Sequence, residues 1–437
     1  MFIEELTLEN IRCFEKVAIR FKNNKWITLL GPNGCGKSTV LQSLAFLLAG
    51  PEGAQKLAPR PVGWLRDEGQ LGKLSAKIHQ SDSDPGQFGD KRVTRSFGYT
   101  YILSGNSRLT FRNKVFTEPG IHESPDKRLT WLRQNAFTSK GLGWFAVGYG
   151  AFRRLTRRSE IIVPSLEPQA RYTNFLTQFD EDQPLSAFER WMVYLDYRIV
   201  KNNDTEARRQ KEMGIDAINR LLPTRVRFDS VTSEGRICFD VDGARVPTLA
   251  LSDGYRSVLA LAGDLVWRLI QSFPASEDPL KEDGVVLIDE LDIHLHPVWQ
   301  RDIAVWLREQ FPNLQFIVAT HSPLIAAGAG EDARTLKFSL RDGKAAVETA
   351  PDISAMNVDR ILQSSAFELV SPYSPQTQKN IDRYNELLGK GSRKTKKEAE
   401  EFHPLLRFME EKRPVGGHPE PGSLSARIEA YLDKKLP

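Results

Sequence analysis

The stretch GPNGCGKST, residues 31–39, decides the reading of this chain. It fits the pattern GxxxxGK[ST], a phosphate cradle. Its glycines let successive backbone N–H groups wrap one anion, and a helix N-terminus stands behind them. Residues 26–30 (WITLL) form an apolar run broken only by Thr28, as expected of a strand buried on both faces of a sheet. Residues 38–48 read as the helix that follows. Strand, loop and helix in this order place Asn33, Gly34, Cys35, Gly36, Lys37, Ser38 and Thr39 around a nucleotide triphosphate. Lys37 is expected to bridge the outer two phosphates and the Ser38 hydroxyl to ligate Mg²⁺. ATP and Mg²⁺ are therefore the expected cofactors.

Three later motifs complete this one. VVLIDE (residues 285–290) is a buried strand ending in two carboxylates, which an apolar run does not carry at its tip without a use. Glu290 is placed there to act as general base on the attacking water. QFIVA (residues 315–319) is another buried strand, and it delivers Thr320 and His321 at its end. LSDGY (residues 251–255) precedes a long helical pattern, and Ser252 and Gly254 at that helix start can offer a hydroxyl and N–H groups to a phosphate. The pair His294 and His296 in LDIHLHPVWQ has a spacing compatible with a metal, but directly after paired acids it reads better as a structural loop.

The rest of the chain sets the bounds. Its 437 residues suffice for two or three domains, with 40% hydrophobic and 27% charged residues as in a soluble globular protein. Cys13, Cys35 and Cys238 are far apart and lack a CxxC pair, so neither a disulfide framework nor a zinc site is expected. The acidic start MFIEELTLEN is not a signal peptide, and no apolar run reaches the ~20 residues of a membrane span, so a cytoplasmic location without membrane contact is expected. A net charge of +4 permits contact with nucleic acid without arguing for it.

Residues 2–8 and 17–21 alternate as strands, and residues 144–149 look like a further buried one. From 51 to about 139, glycine, proline and serine punctuate short candidate strands such as 93–102, suggesting an inserted β subdomain. Residues 184–222 carry apolar side chains at helical spacing (Phe188, Met192, Leu195, Ile199) and predict helices, one ending at Pro223. No heptads continue beyond them. Residues 226–229 and 237–241 read as a hairpin. The expected class is α/β, a P-loop NTPase head with a mixed sheet, and the expected division has four parts. These are an N-terminal lobe (1–50), inserted β and helical subdomains (51–224), a C-terminal lobe (225–350) and a charged helical region (351–437) with a Pro/Gly-rich break near Pro414.

With LENIRCF (8–14), GYGAFRR (148–154), LSDGYRSVLAL and LIDELDIHLHPVWQR added, the chain resembles the AAA-family ATPases of the SMC/RecF/OLD group within the ABC superfamily. It is similar in particular to the branch labelled predicted ATP-binding proteins involved in virulence. The resemblance makes Asp289 the Walker B acid that shares the Mg²⁺ shell with Ser38, His321 the switch histidine on the γ-phosphate, and Asp292 a D-loop acid facing a partner head. It also places Asn10 and Arg12 near the nucleotide. The ABC signature serves ATP in trans, so Ser252 and Gly254 imply a homodimer or higher oligomer closed around ATP. Here Asp253 and Tyr255 depart from the transporter form LSGGQ, and no Q-loop glutamine is identifiable; GYGAFRR falls in that region.

Relatives of this shape accompany nucleases or toxins in Septu, retron and PARIS anti-phage systems, so the resemblance implies an ATP-driven switch with a separate effector protein. The alternative is a RecF-like DNA-binding maintenance ATPase, with which the basic residues Arg153, Arg154, Arg157, Arg158 and the 390–397 cluster are compatible. An OLD-type nuclease needs a DxD triplet after His321, and residues 322–437 contain none. A transporter ATPase fits neither LENIRCF nor the signature.

Overall fold

The computed structural model describes residues 1–412 except 22–23, 87–94, 112–113, 139–142, 154, 156–169, 182–184, 186, 223–224, 233, 355, 357, 368, 370 and 372. Arg154, Arg157 and Arg158 of the basic run, the helix end at Pro223, the starts of the segments at Val93 and Pro184, and the break near Pro414 lie outside the described residues.

The chain opens with a hairpin of β1 (Phe2–Ile11) and β2 (Phe14–Arg20), and β3 (Trp26–Leu30) then runs into the glycine-rich loop. Helix α1 (Lys37–Ala49) leaves that loop and is followed by α2 (Pro51–Leu57). Next come β4 (Gly72–His79), β5 (Ser96–Phe111), β6 (Lys114–Glu123), α3 (Lys127–Asn135) and β7 (Phe145–Tyr149). A 3-10 helix (Arg171–Gln178) precedes the helices α4 (Ala187–Asn202) and α5 (Thr205–Leu221). The meander β8 (Val226–Val231), β9 (Ile237–Val241) and β10 (Ala244–Pro247) leads to α6 (Asp253–Ser272). Then follow β11 (Gly284–Ile288), α7 (Pro297–Gln310), β12 (Leu314–Ala319), α8 (Pro323–Gly328) and the hairpin β13 (Arg334–Arg341) with β14 (Lys344–Thr349).

A six-stranded sheet in the order β14-β13-β3-β12-β11-β7 is the frame, parallel throughout except for β14. Every residue of β3, β7, β11 and β12 is buried, as parallel strands covered on both faces must be. Alternate side chains go to opposite sides. Trp26, Val286, Ile288, Phe316 and Val318 join a core made with α4, α5, α6 and α7. Ile27, Leu29, Val285, Leu287, Ile317 and Ala319 join the second core, made with α1 and the antiparallel sheet.

That antiparallel sheet has five strands in the order β2-β1-β4-β5-β6. The segment expected as an insertion therefore supplies β4–β6 to the sheet that β1 begins, with β4 paired to β1 from Phe2↔His79 to Glu9↔Lys73. Sequence texture marked the strands, but pairing across some seventy residues has no local signal. The helices α4 and α5 form a hairpin whose Phe188, Met192 and Leu195 face the first core, at the phase their spacing predicted.

Residues 1–356 form one compact unit and residues 357–437 another. In the second, α9 (Val358–Gln363) precedes a hairpin of α10 (Pro375–Lys390) and α11 (Lys396–Lys412). Tyr384 stacks on Phe402 at 5.3 Å, and Arg383 donates to both Glu401 oxygens at 2.8 and 2.7 Å. Among the described residues no helix is long and apolar enough to cross a membrane.

Helix α1 is anchored by Phe46, fully buried between the rings of Trp64 (4.6 Å) and Phe179 (4.9 Å). Phe46→Ala should cost ~3–5 kcal/mol, counting lost transfer energy and the cavity left behind. Urea unfolding measures it, and a change below ~1 kcal/mol would show that the site collapses without loss.

Candidate active site

The glycine-rich loop sits at the C-terminal end of β3, where Gly36 takes φ 98°. A Cβ on Gly36 would lie 2.5 Å from the Phe14 ring and 2.7 Å from Cys13 Sγ, so the loop closes on the β1–β2 turn only with glycine there. Lys37 is almost fully buried, and its Nζ donates to the loop's own Gly31 and Pro32 carbonyls at 2.8 and 2.9 Å. Burial lowers its pKa, opposed by the Cys35 sulfur and by the nearby carboxylates of Asp289, Glu290 and Asp292.

Asp289 and Glu290 emerge at the end of β11. Burial raises the Asp289 carboxylate above the ordinary aspartate range, while the neighbouring Ser38 hydroxyl, Lys37, the Glu290 N–H and Arg153 pull it down. Glu290 has φ 45°, in the left-handed region that costs a residue with a Cβ roughly 1–2 kcal/mol. The turn is sewn in on both sides: Asp289 N–H donates to Tyr149 O at 2.9 Å and Leu291 N–H to Ala319 O at 3.1 Å. From below, the buried Arg153 donates to the carbonyls of Asp289 (2.7 Å), Glu290 (2.9 Å) and Leu291 (3.5 Å), and to Gly150 O (2.9 Å).

At the end of β12, Asp292 accepts from the Thr320 hydroxyl and from His321 N–H (3.1 Å). Its carboxylate thus ties the D-loop to the histidine of its own chain. Burial first, then Lys37, lowers the His321 pKa, which leaves the imidazole neutral at neutral pH. His296 instead caps α7, its Nδ1 accepting from Val298 N–H at 3.4 Å, and His294 is exposed. Among the described residues no group of three His, Cys, Asp or Glu could hold a metal ion.

Arg12 lies over the Trp64 ring at 4.0 Å and donates to Gln42 Oε1 at 2.8 Å and to Thr39 Oγ1 at 3.5 Å, beside the start of α1. The Asn10 side chain is bonded to Asp67 and Gln70 backbone, holding the loop at 67–70 against β1. Ser252 and Gly254 open α6, and the exposed Ser252 makes no side-chain cap to the helix. Tyr255 is inward: its ring meets Trp299 edge-on at 4.7 Å, and its hydroxyl accepts from Arg225 Nε at 3.0 Å.

GYGAFRR and Gln178 explain one another. A Cβ on Gly148 would lie 2.3 Å from Gln178 Oε1, and one on Gly150 only 1.9 Å from the Thr177 carbonyl oxygen. The 3-10 helix therefore packs directly on the end of β7. Gln178 is 9% exposed, and neither its Oε1 nor its Nε2 has a partner. Its carbonyl accepts from Gln42 Nε2 at 2.7 Å, continuing the chain of contacts from Arg12. Sequence reasoning missed it, because residues 154–169 separate it from β7 without any motif. The paired glycines were the one available signal of close approach.

The family model described as "AAA domain, putative AbiEii toxin, Type IV TA system" matches residues 27–327. The chain belongs to this family. It is 28% identical over 405 residues to the Septu protein PtuA of Bacillus mycoides (strain KBAB4), covering 90% of this chain and 48% of that protein. It is 25% identical over 372 residues to the Retron Vc95 probable ATPase of Vibrio cholerae serotype O1 biovar El Tor, covering 74% and 71%. Over 110 residues, 25% of this chain and 20% of that one, it is 46% identical to the Retron Ec83 probable ATPase of Escherichia coli. The chain thus spans about half the length of the Septu relative. An SMC head solved with the C-winged helix domain of ScpA matches with a TM-score of 0.50 at 17% identity, covering 82% of this chain and 100% of that one. The fold is like that of an SMC head, a P-loop α/β architecture with a mixed sheet.

Because Gly150 touches a backbone carbonyl that cannot swing aside, Gly150→Ala should destabilise the protein by at least ~1–3 kcal/mol through overpacking. Differential scanning calorimetry reads this as a lowered melting temperature, and an unchanged one would contradict the contact.

Proposed function

We propose that this chain binds and hydrolyses ATP at the ends of β3, β11 and β12, and that two copies closing around ATP switch a separate effector in prokaryotic anti-phage defence. One observation carries the chemistry: three neighbouring parallel strands end together with Lys37 and Ser38, Asp289 and Glu290, and His321.

Each group has a part. The Lys37 ammonium exchanges the Gly31 and Pro32 carbonyls for phosphate oxygens on ATP binding. Ser38 and Asp289 are neighbouring hard oxygen donors, the donor type that Mg²⁺ takes, and they would hold the ion. When bound, it supplies positive charge against the phosphates. Glu290 accepts the proton of the attacking water, and neutral His321 donates a hydrogen bond to the terminal phosphate. Asn33, Gly34, Cys35, Gly36, Thr39 and Arg12 complete the nucleotide contacts, and Gln178 brings an unspent amide to the end of β7.

The sandwich rests on Ser252, exposed with no cap to make, beside Gly254 at a helix N-terminus. The effector, a nuclease or toxin, rests on the likeness to Septu and retron proteins. A RecF-like DNA-binding ATPase is the second reading. Its basic cluster at 390–397 is partly spent, since Lys390 pairs with Glu386 and Glu398 and Lys394 lies over the Phe402 ring at 4.4 Å.

Glu290→Gln should bind ATP yet lose ~10²–10⁴-fold in turnover, the usual cost of a lost general base. Turnover at the wild-type rate would sink the assignment. Lys37→Ala should instead weaken binding itself, read by titration with labelled ATP.

For assembly, Ser252→Arg in the Glu290→Gln background should bind ATP but stay monomeric in light scattering. Dimers forming regardless would remove the signature from the interface.

A further inference from the structure

We propose that Arg153 is a positioning residue for hydrolysis, holding the Asp289–Leu291 main chain so that both carboxylates stay free to act. The inference rests on the reading of Glu290 as general base.

A buried arginine beside two or three carboxylates ordinarily takes a carboxylate as partner. Arg268 does so here, its Nε donating to Asp264 Oδ2 at 2.6 Å. Arg153 does otherwise. It is 4% exposed, and its bonds go to the main-chain oxygens of Gly150, Asp289, Glu290 and Leu291. Asp289, Glu290 and Asp292 compensate its charge through space without a direct bond to it. Burial lowers its pKa to about 10, so it remains a cation.

The consequence is geometric. Glu290 sits in a left-handed backbone conformation that a free loop would relax, and its side-chain position depends on that conformation being held. A planar guanidinium with donors in a fixed fork can hold consecutive carbonyls at once, which a single ammonium cannot. Tyr149 O below Asp289 N–H and Ala319 O below Leu291 N–H restrain the donors of the turn, and Arg153 restrains its acceptors. A carboxylate partner would have consumed the groups meant for the water and the ion. Carbonyl partners leave both carboxylates without an arginine on them, Asp289 accepting from the Glu290 N–H at 3.1 Å.

Arg153→Lys keeps the charge but not the fork, and Arg153→Met removes both. Each should bind labelled ATP like the wild type while kcat falls roughly tenfold to a hundredfold, as expected for a reacting group displaced by about an ångström. The discriminating measurement is a double-mutant cycle: in the Glu290→Gln background, Arg153→Lys should lower kcat no further. An equal fall in both backgrounds, parallel loss of ATP binding and kcat, or wild-type turnover of Arg153→Lys would each overturn the proposal. Glu290→Gln alone turning over normally would instead overturn the general-base reading, whatever Arg153 does.

Discussion

Parallel pairing of β3, β12 and β11 in a fixed register is the constraint on which everything else depends. Val318 lies opposite Thr28 on one side and Ile288 on the other, and Ile288 lies opposite Tyr149. Strands about 4.8 Å apart and ending at the same level bring their following residues within reach of one ligand. Parallel strands expose only such shared ends, and α/β sheets bind ligands at their carboxyl ends. A slip of one residue in β11 would exchange Val285 and Leu287 for Val286 and Ile288 between the two cores and withdraw Asp289 from Ser38. The burial of both faces therefore fixes the chemistry.

The cores also carry polar groups that packing alone would not select. Asp264 is 1% exposed, accepts from Tyr149 and Arg268, and through Arg268 reaches Asn174 at 94 residues' distance along the chain. An apolar trio of the same volume could be as stable, because desolvating an ion pair offsets most of its attraction. What the network supplies is register, since the signature helix α6, the strand β7 and the 3-10 helix bearing Gln178 must meet in one arrangement. Arg153 works likewise for β7 and the end of β11.

Much of this was legible beforehand. Short, mostly apolar runs ending in a glycine loop, in paired acids or in Thr-His announce buried strands, and β3, β11 and β12 follow them. The phase of Phe188, Met192 and Leu195 predicted the buried side of α4. Long-range pairing was not legible: β4 joins β1 through backbone bonds that leave the intervening sequence unconstrained. Nor was the role of Gln178 or Arg153, because both act on backbone or lie against glycine, and neither contact imposes a spacing. A basic run suggested a solvated or nucleic-acid-binding face, whereas its first residue, Arg153, is among the most buried charges of the described residues.

The first turn of α6 divides in the same way between what folds the head and what remains unspent. Tyr255 turns inward onto Trp299 and Arg225, and a Cβ on Gly254 would lie 2.9 Å from the His294 carbonyl, so α6 is pressed against the loop that follows the paired acids. Asp253 pairs with Arg256 along the helix. The Ser252 hydroxyl alone faces out with no capping duty, although serine is among the best N-caps. A residue type so suited to capping, left uncapping at a helix N-terminus, is what the proposed sandwich draws on. Lys37, by contrast, is occupied by its own loop carbonyls. The groups at the ends of β3 and β12 are thus held by their own chain, while Ser252 is left without a capping bond, which supports the proposed closure by a second copy.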